Sequence, residues 1–232
     1  MQAKVSVIVC ARNEEKVIGA CLEALKRQTA CPEIIVIDGH STDRTREIAK
    51  KHADKVILDN GKGIGDARNI GWKAATHGIV AFCDADARPP PDWVENIGKL
   101  IDDNAAVNGP LVPYDAHRFR TKLTMKIWTD IFLRAGSAVR YPIVCAANVA
   151  FRKSMLEKYP FRLNAPTEDF DVGRRMRHAG RIRFFSELRM PISGRRFENK
   201  FYRRTAVIYL RNYFRVTVGK EAKDFGYFEN KG

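Results

Sequence analysis

Four short strand-like runs, Lys4 to Cys10, Glu33 to Asp38, Lys55 to Leu58 and Ile79 to Cys83, recur through the first hundred residues, and each leads into a segment of helical character. These segments are Glu14 to Gln28, Thr42 to His52, Asp66 to Thr76 and, beyond the Pro89-Pro90-Pro91 turn, Asp92 to Ile101. No other feature constrains the fold as much. Strands joined through helices pair in parallel, and a parallel sheet needs helices on both faces. The rhythm then loosens. A strand is expected near Ala106 to Val112 and a helix over Phe119 to Leu133, whose apolar residues recur at helical spacing. Pro142 to Phe151 reads as a strand and Thr167 to His178 as a helix, with Thr167 as its cap and Glu168 and Asp169 in its first turn, where the helix dipole favours negative charge. No repeat, linker or low-complexity segment interrupts the chain, so one α/β domain is expected.

Polar residues collect where the strands end: Arg12 and Asn13, then Asp38, then Asp84 and Asp86. Open α/β sheets bind ligands at the carboxyl ends of their strands. In Asp84-Ala85-Asp86, two carboxylates separated by one small residue suit a hard divalent ion that also holds diphosphate oxygens. By itself the triplet is equally at home in a surface turn. In Asp38-Gly39-His40-Ser41-Thr42-Asp43, Gly39 permits a tight turn and Ser41, Thr42 or Asp43 can cap the next helix. Asp38 is left over, and its carboxylate can accept from a base N–H or a ribose hydroxyl. Ala11-Arg12-Asn13-Glu14 would line the same edge, and Gly65-Asp66-Ala67-Arg68-Asn69 opens a helix with a carboxylate and a guanidinium within reach of ribose, base or phosphate.

Charge narrows the partners. Of a net +14, residues 1–100 contribute almost nothing, with 15 basic and 14 acidic side chains, whereas residues 171–215 carry 13 basic and 3 acidic. Such a stretch meets an anion: a nucleotide diphosphate, a lipid headgroup or nucleic acid. The five cysteines are odd in number and lack a C-x-x-C pair, which argues for reduced core thiols rather than disulfides or zinc. The longest apolar runs fall far short of the roughly 18 residues that cross a bilayer, and the N-terminus lacks a basic leader and cleavage site. A cytoplasmic protein is expected, with peripheral contact at the cytoplasmic membrane face left open.

Taken in order, these pieces resemble glycosyltransferase family 2, enzymes with the GT-A fold, a Rossmann-like, mostly parallel sheet flanked by helices. The resemblance runs from residue 4 to about 198 through Ala11-Arg12-Asn13-Glu14, Asp38-x-x-Ser41-x-Asp43-x-Thr45, Gly65-x-Ala67-Arg68-Asn69, Asp84-x-Asp86 and Glu168-Asp169. It implies one GT-A domain, with a nucleotide-sugar donor half over 1–105, an acceptor and catalytic half over 106–198 and a basic C-terminal helix and tail over 199–232. It implies a UDP- or GDP-sugar donor, Mg²⁺ or Mn²⁺, and inverting transfer of one sugar to a lipid-linked, glycan or small-molecule acceptor. By resemblance, Ala11, Arg12 and Glu14 contact the nucleoside, with Asn13 beside them. Asp38 reads the base, Asp66 and Arg68 flank nucleotide and diphosphate, and Asp86 binds the metal. Asp84 and Ala85 complete that edge, Asp84 as a second metal contact, and Glu168 belongs to the donor site. Asp169 is the expected catalytic base.

Two places depart from the family pattern. Cys145-Ala146-Ala147-Asn148 replaces a glycine-rich turn and keeps Asn148 at the sugar pocket, and the Q-x-x-R-W signature of processive members is absent. Ser193-Gly194-Arg195-Arg196 resembles the Ser-x-Arg-Arg segment of small non-processive relatives, and Arg195 and Arg196 would neutralise the leaving diphosphate, although a solvated basic turn accounts for them too. Gly61-x-Gly63-x-Gly65 lacks the spacing of a dinucleotide loop and follows the third strand, against an oxidoreductase. A nucleotidyltransferase would carry a glycine-rich basic loop after the first strand. Arg203, Arg204, Arg211 and Arg215, interleaved with aromatic residues, suit a nucleic-acid-binding module, but the acidic strand ends do not, so no nucleic acid is expected. The span Phe201 to Val218 also reads as a basic amphipathic helix for a membrane interface.

Overall fold

Residues 3–116, 119–127, 133–138, 144–163 and 167–195, with Arg211 and Arg215, are described by a computed structural model. The expected parallel sheet is present. Strands β1 (Val5–Ala11), β2 (Glu33–Asp38), β3 (Lys55–Leu58) and β4 (Ile79–Asp84) alternate with helices α1 (Ile18–Lys26), α2 (Thr45–His52), α3 (Ile64–Ala74) and α4 (Trp93–Leu100). β1 is paired in parallel with β2 and β4, and β2 with β3.

The second half extends this sheet. With β5 (Asn104–Asn108), β7 (Asn148–Arg152) and β8 (Arg181–Phe184), the order becomes β3-β2-β1-β4-β7-β5-β8. β7 runs antiparallel to both neighbours, while β5 and β8 are parallel. A small parallel pair, β6 (Leu111–Pro113) with β9 (Met190–Ile192), stands beside it. The remaining helices are α5 (Phe119–Lys126), α6 (Leu133–Ala138), α7 (Lys153–Lys158) and α8 (Glu168–Met176).

Several boundaries differ from the sequence reading. The strand expected over Ala106 to Val112 is divided between β5 and β6, because Pro110 has no N–H for a ladder and Gly109 lies so close to Leu188 that a side chain would overlap its backbone carbonyl. The strand expected from Pro142 starts only at Asn148, after a turn closed by Asn148 N–H on the Cys145 carbonyl at 2.9 Å. α1 begins at Ile18 because Glu14 to Val17 form a turn, and α2 begins at Thr45 because Ser41 and Asp43 are committed to bonds across loops. α5 and α6 fall at the two ends of the expected Phe119–Leu133 helix. α7, β8 and β9 are too short to show a period in the sequence.

Side chains alternate across the sheet. Val5, Val7, Val9 and Ala11 of β1 face α1 and α4 in a core with Leu22, Leu25, Trp93 and Ile97. Ile8 faces the opposite core, with Ile35, Ile37, Trp72, Phe82 and Phe151. Gly71 lets α3 lie directly on β1, since a methyl group there would overlap the Ile8 side chain. At the amino edge Glu33 ties four elements together: it accepts from Ser6 Oγ (2.5 Å), Lys55 Nζ (2.8 Å) and Thr76 N–H (2.8 Å). Burial alone would raise its pKa, but these bonds outweigh burial and hold it at about 2. The carboxyl edge is left open for the site.

Candidate active site

Parallel register brings the strand ends level: Ala11 lies beside Asp38, Cys10 beside Asp84, and, on the antiparallel side, Cys83 beside Asn148. The first two loops lock to each other. Asn13, at φ 55°, donates its N–H to Ser41 Oγ (3.0 Å) and accepts from Thr42 N–H (2.9 Å), while Glu14 N–H donates to Thr45 Oγ1 (2.7 Å). Asp43 accepts from Glu15 N–H (3.1 Å) and Thr45 N–H (2.9 Å). Ser41, Thr42 and Asp43 thus serve the joint between loops. The left-handed residue of the turn is His40, at φ 58°, while Gly39 gives room to the first loop, with Arg12 Cβ 3.3 Å from where a Cβ on Gly39 would be. Asp38 is fully buried beneath this turn, accepting from Ser41 N–H (3.3 Å), with Arg46 Nε at 3.7 Å. Asp66 holds the neighbouring loop by accepting from Asn60 N–H (3.1 Å). Arg12 is exposed above these carboxylates.

At β4 the chain turns through Asp84-Ala85-Asp86, with Ala87 N–H on the Asp84 carbonyl at 3.0 Å. Ala85 packs into the core, which forces the two carboxylates apart from it. Asp86 is buried, and Arg195 reaches it with Nη2 at 3.2 Å from Oδ2 while pairing through the same nitrogen with Glu14. One guanidinium therefore bridges the first loop and the Asp84-Ala85-Asp86 turn. Asp115 aims it, accepting from Ser193 Oγ (2.6 Å) and Gly194 N–H (2.5 Å). The sequence reading had no role for Asp115, since one acidic residue after a three-residue strand carries no spacing signal.

The Gly65-Asp66-Ala67-Arg68-Asn69 run also makes contacts across the chain. A side chain at Gly65 would overlap the Arg162 carbonyl, so the start of α3 touches the 161–163 segment directly. Asn69 pairs with both backbone groups of Phe161, and Arg68 forms a buried ion pair with Glu168 and lies 5.7 Å from the Phe161 ring centre. These contacts join α3 to the 161–163 segment and, through Glu168, to α8. Arg68 and Glu168, expected at the donor, are committed to each other.

Asp169 stands in the first turn of α8, half-buried, accepting from Phe170 N–H (2.9 Å) and Ala146 N–H (3.3 Å). Burial raises its pKa, overriding the lowering by Arg68 and by these N–H groups. The Cys145 thiol is pushed up to about 12, chiefly by burial, then by the negative charges of Asp169 and Asp84, with Arg68 opposing. The charges of Asp169, Asp84 and Arg68 thus all act on one thiol. Cys10, also at about 12 through burial, feels Arg68 and Asp84 from the other side.

Three expectations change. Asn148, expected at the donor sugar, is engaged inside the protein: its amide accepts from Trp93 Nε1 (3.0 Å) and donates to Leu188 O (2.6 Å). Thr167 occupies the cap position of α8, but no side-chain cap bond forms there. Of the thiols, Cys21 and Cys83 are core residues, Cys10 and Cys145 flank the site and Cys31 is exposed. Arg196 and the span Phe201 to Val218, apart from Arg211 and Arg215, lie outside the described residues, as does any test of the 199–232 boundary. Among the described residues no helix is long and apolar enough to cross a membrane.

Nor do three His, Cys, Asp or Glu side chains converge there as a ready-made metal cage. Asp86 and Asp84 offer hard oxygen donors only, and a cation held by one or two carboxylates completes its shell with ligand oxygens and water. That donor set fits Mg²⁺ or Mn²⁺ carried with a diphosphate.

Comparison with known proteins agrees with this architecture. The sequence model of glycosyl transferase family 2 matches residues 6–160. Glycosyltransferase AglE of Haloferax volcanii is 36% identical over 100 residues, 39% of this chain and 33% of that protein, so the match spans about a third of the relative. Among solved structures, the mannosyltransferase PcManGT from Pyrobaculum calidifontis, in complex with GDP-Man and Mn²⁺, superposes with a TM-score of 0.76 at 22% identity, covering 96% of this chain and 66% of that one. Glucosyl-3-phosphoglycerate synthase from Mycobacterium tuberculosis, with Mn²⁺, UDP and glucosyl-3-phosphoglycerate, gives 0.68 at 18% identity over 97% of this chain and 82% of that one. These likenesses bear out the GT-A fold.

Proposed function

The chain belongs to glycosyl transferase family 2, and from that premise we propose that it moves one sugar from a UDP- or GDP-sugar to an acceptor hydroxyl by a single inverting displacement, with Asp169 as base. The observation that carries this reading is Asp169 in the first turn of α8, bonded to Ala146 N–H just before the strand that pairs with β4, with burial raising its pKa. Asp38, Asp66, Arg12 and Glu14 hold the nucleoside at the neighbouring loops. Asp169 takes the proton of the acceptor hydroxyl as its oxygen bonds to the anomeric carbon and the bond from that carbon to the diphosphate oxygen breaks. Arg195 leaves its bridge between Glu14 and Asp86 to meet the charge that collects on the leaving diphosphate. A Mg²⁺ or Mn²⁺ ion on Asp86, with Asp84 beside it, would stabilise that same charge when bound. The Mn²⁺ bound in both solved relatives supports this assignment.

The experiment is a panel of nucleotide-sugars assayed for metal-dependent donor consumption, first with the native protein and then with Asp169→Asn. The expected result is turnover of one donor class, a loss of about 10²- to 10⁴-fold in kcat in the variant, and unchanged donor affinity. Substantial transfer by Asp169→Asn would refute the base.

A further inference from the structure

The mechanism above leaves one buried ion pair without a part. Arg68 on α3 and Glu168 at the start of α8 are both nearly inaccessible to solvent, and they join α3 to α8, while Gly65 and Asn69 hold α3 to the 161–163 segment that precedes α8. Glu168 directly precedes Asp169. We propose that the Arg68–Glu168 pair is a positioning element for Asp169: Arg68 ties α3 to the first turn of α8, and Glu168 neutralises the guanidinium that stands beside the carboxylate. This rests on reading Asp169 as the base, and it withdraws Arg68 and Glu168 from direct contact with the donor.

The reasoning is electrostatic. A buried guanidinium without a partner would be a strong neighbour for Asp169, holding it ionised and making it a poor proton acceptor. With Glu168 on the guanidinium, the pull of Arg68 on Asp169 is reduced but not removed, and burial outweighs what is left of it. Among the described residues, the other groups that act on Asp169 are the N–H groups of Ala146 and Phe170 and its own N–H, which favour the ionised form, and the neutral thiol of Cys145, which also feels Asp84. None of them changes when Glu168 is altered. Phe161 holds the arrangement from below, with the Arg68 guanidinium over its ring and its backbone fixed by Asn69.

The test follows the Asp169 carboxyl itself, by ¹³C NMR titration of aspartate-labelled protein without metal or donor, with Asp169→Asn identifying the signal. In Glu168→Gln, Arg68 is left uncompensated. The expected result is a fall of about one pH unit in the Asp169 midpoint, a matching downward move of the acid limb of kcat/KM, and a several-fold loss of kcat at neutral pH with KM for the donor unchanged. In the double variant Arg68→Met with Glu168→Gln no charge is left unpaired, and the midpoint returns upward; this variant also keeps the test sound if the single change harms folding. A purely structural pair would lower stability and kcat while leaving the midpoint in place, and that result overturns the proposal. A raised KM for the donor in Glu168→Gln, with an unmoved midpoint, overturns it in favour of direct donor contact. The midpoint reads the pair whether or not Asp169 moves a proton in turnover. Failure of the base reading shows up separately, as transfer retained by Asp169→Asn.

Discussion

The side-chain amide of Asn69 forms a two-way bond with the backbone of Phe161, 92 residues away: Nδ2 donates to the carbonyl at 2.7 Å and Oδ1 accepts the N–H at 3.0 Å. The same Oδ1 receives the Trp72 indole at 2.9 Å. One amide thus satisfies three buried polar groups and stitches α3 to Phe161 of the second half.

Asn69→Ala would leave all three of those groups unpaired. The expected cost is about 2–4 kcal/mol of unfolding free energy, read by urea denaturation as a lower midpoint at unchanged slope. Asn69→Asp is expected to be as harmful, because a carboxylate cannot donate to the Phe161 carbonyl. A loss under about 0.5 kcal/mol for Ala would mean that water replaces the amide.

Arg195 connects Glu14 to Asp86, and Asp115 sets its direction through Ser193 and Gly194. Arg195→Ala is expected to weaken nucleoside diphosphate binding by about 10- to 100-fold, the worth of a charge-assisted hydrogen bond. Asp115→Asn should produce a smaller loss in the same direction, because it disturbs the aim and leaves the charge. Calorimetric titration of both proteins checks this, and equal affinities for all three forms would remove Arg195 from the ligand.

Asp169 also predicts a conflict between stability and activity. Its pKa is raised in the folded state, chiefly by burial. Such a group adds stability below its unfolded pKa and loses it as pH rises through the folded value, so at neutral pH the ionised carboxylate is a burden on the fold. Asp169→Asn should therefore melt at a higher temperature than the native protein at pH 7, and this advantage should disappear in acid. A variant that is inactive and less stable at pH 7 would contradict the electrostatic account.

Glu33 has the opposite sign. Its folded pKa of about 2 lies below the ordinary 4.5, so its stabilisation is complete above 4.5 and fades as pH falls toward 2. Glu33→Gln is expected to destabilise by about 1–3 kcal/mol at pH 7 and by clearly less at pH 3, measured as unfolding free energy in urea. A difference that stays constant over that range would locate the effect in packing.

How much of this could be read from the chain alone differs between features for a physical reason. The alternation of β1 to β4 with α1 to α4 is written in local periodicity, and a parallel sheet then follows from the length of each crossover. That Asp38, Asp84 and Asp86 share an edge follows as well, since each ends a strand of that sheet. Residue chemistry also marks Asp169 as a helix-start carboxylate. Pairings across the chain are not local: Arg195 reaches Asp86 from 109 residues away and Glu14 from 181. Only the insertion of β7 between β4 and β5 brings Ala146 to Asp169 and Asn148 beside Cys83, and although the run to Phe151 reads as a strand, nothing in its period announces an antiparallel direction or a place in the middle of the sheet. Arg68, Asn69 and Asn148 show the consequence. The resemblance placed Arg68 and Asn148 at the donor and gave Asn69 no part of its own, whereas packing gave each a buried partner inside the protein, because a polar side chain that folding removes from water must find its hydrogen bonds among whatever the topology has placed beside it.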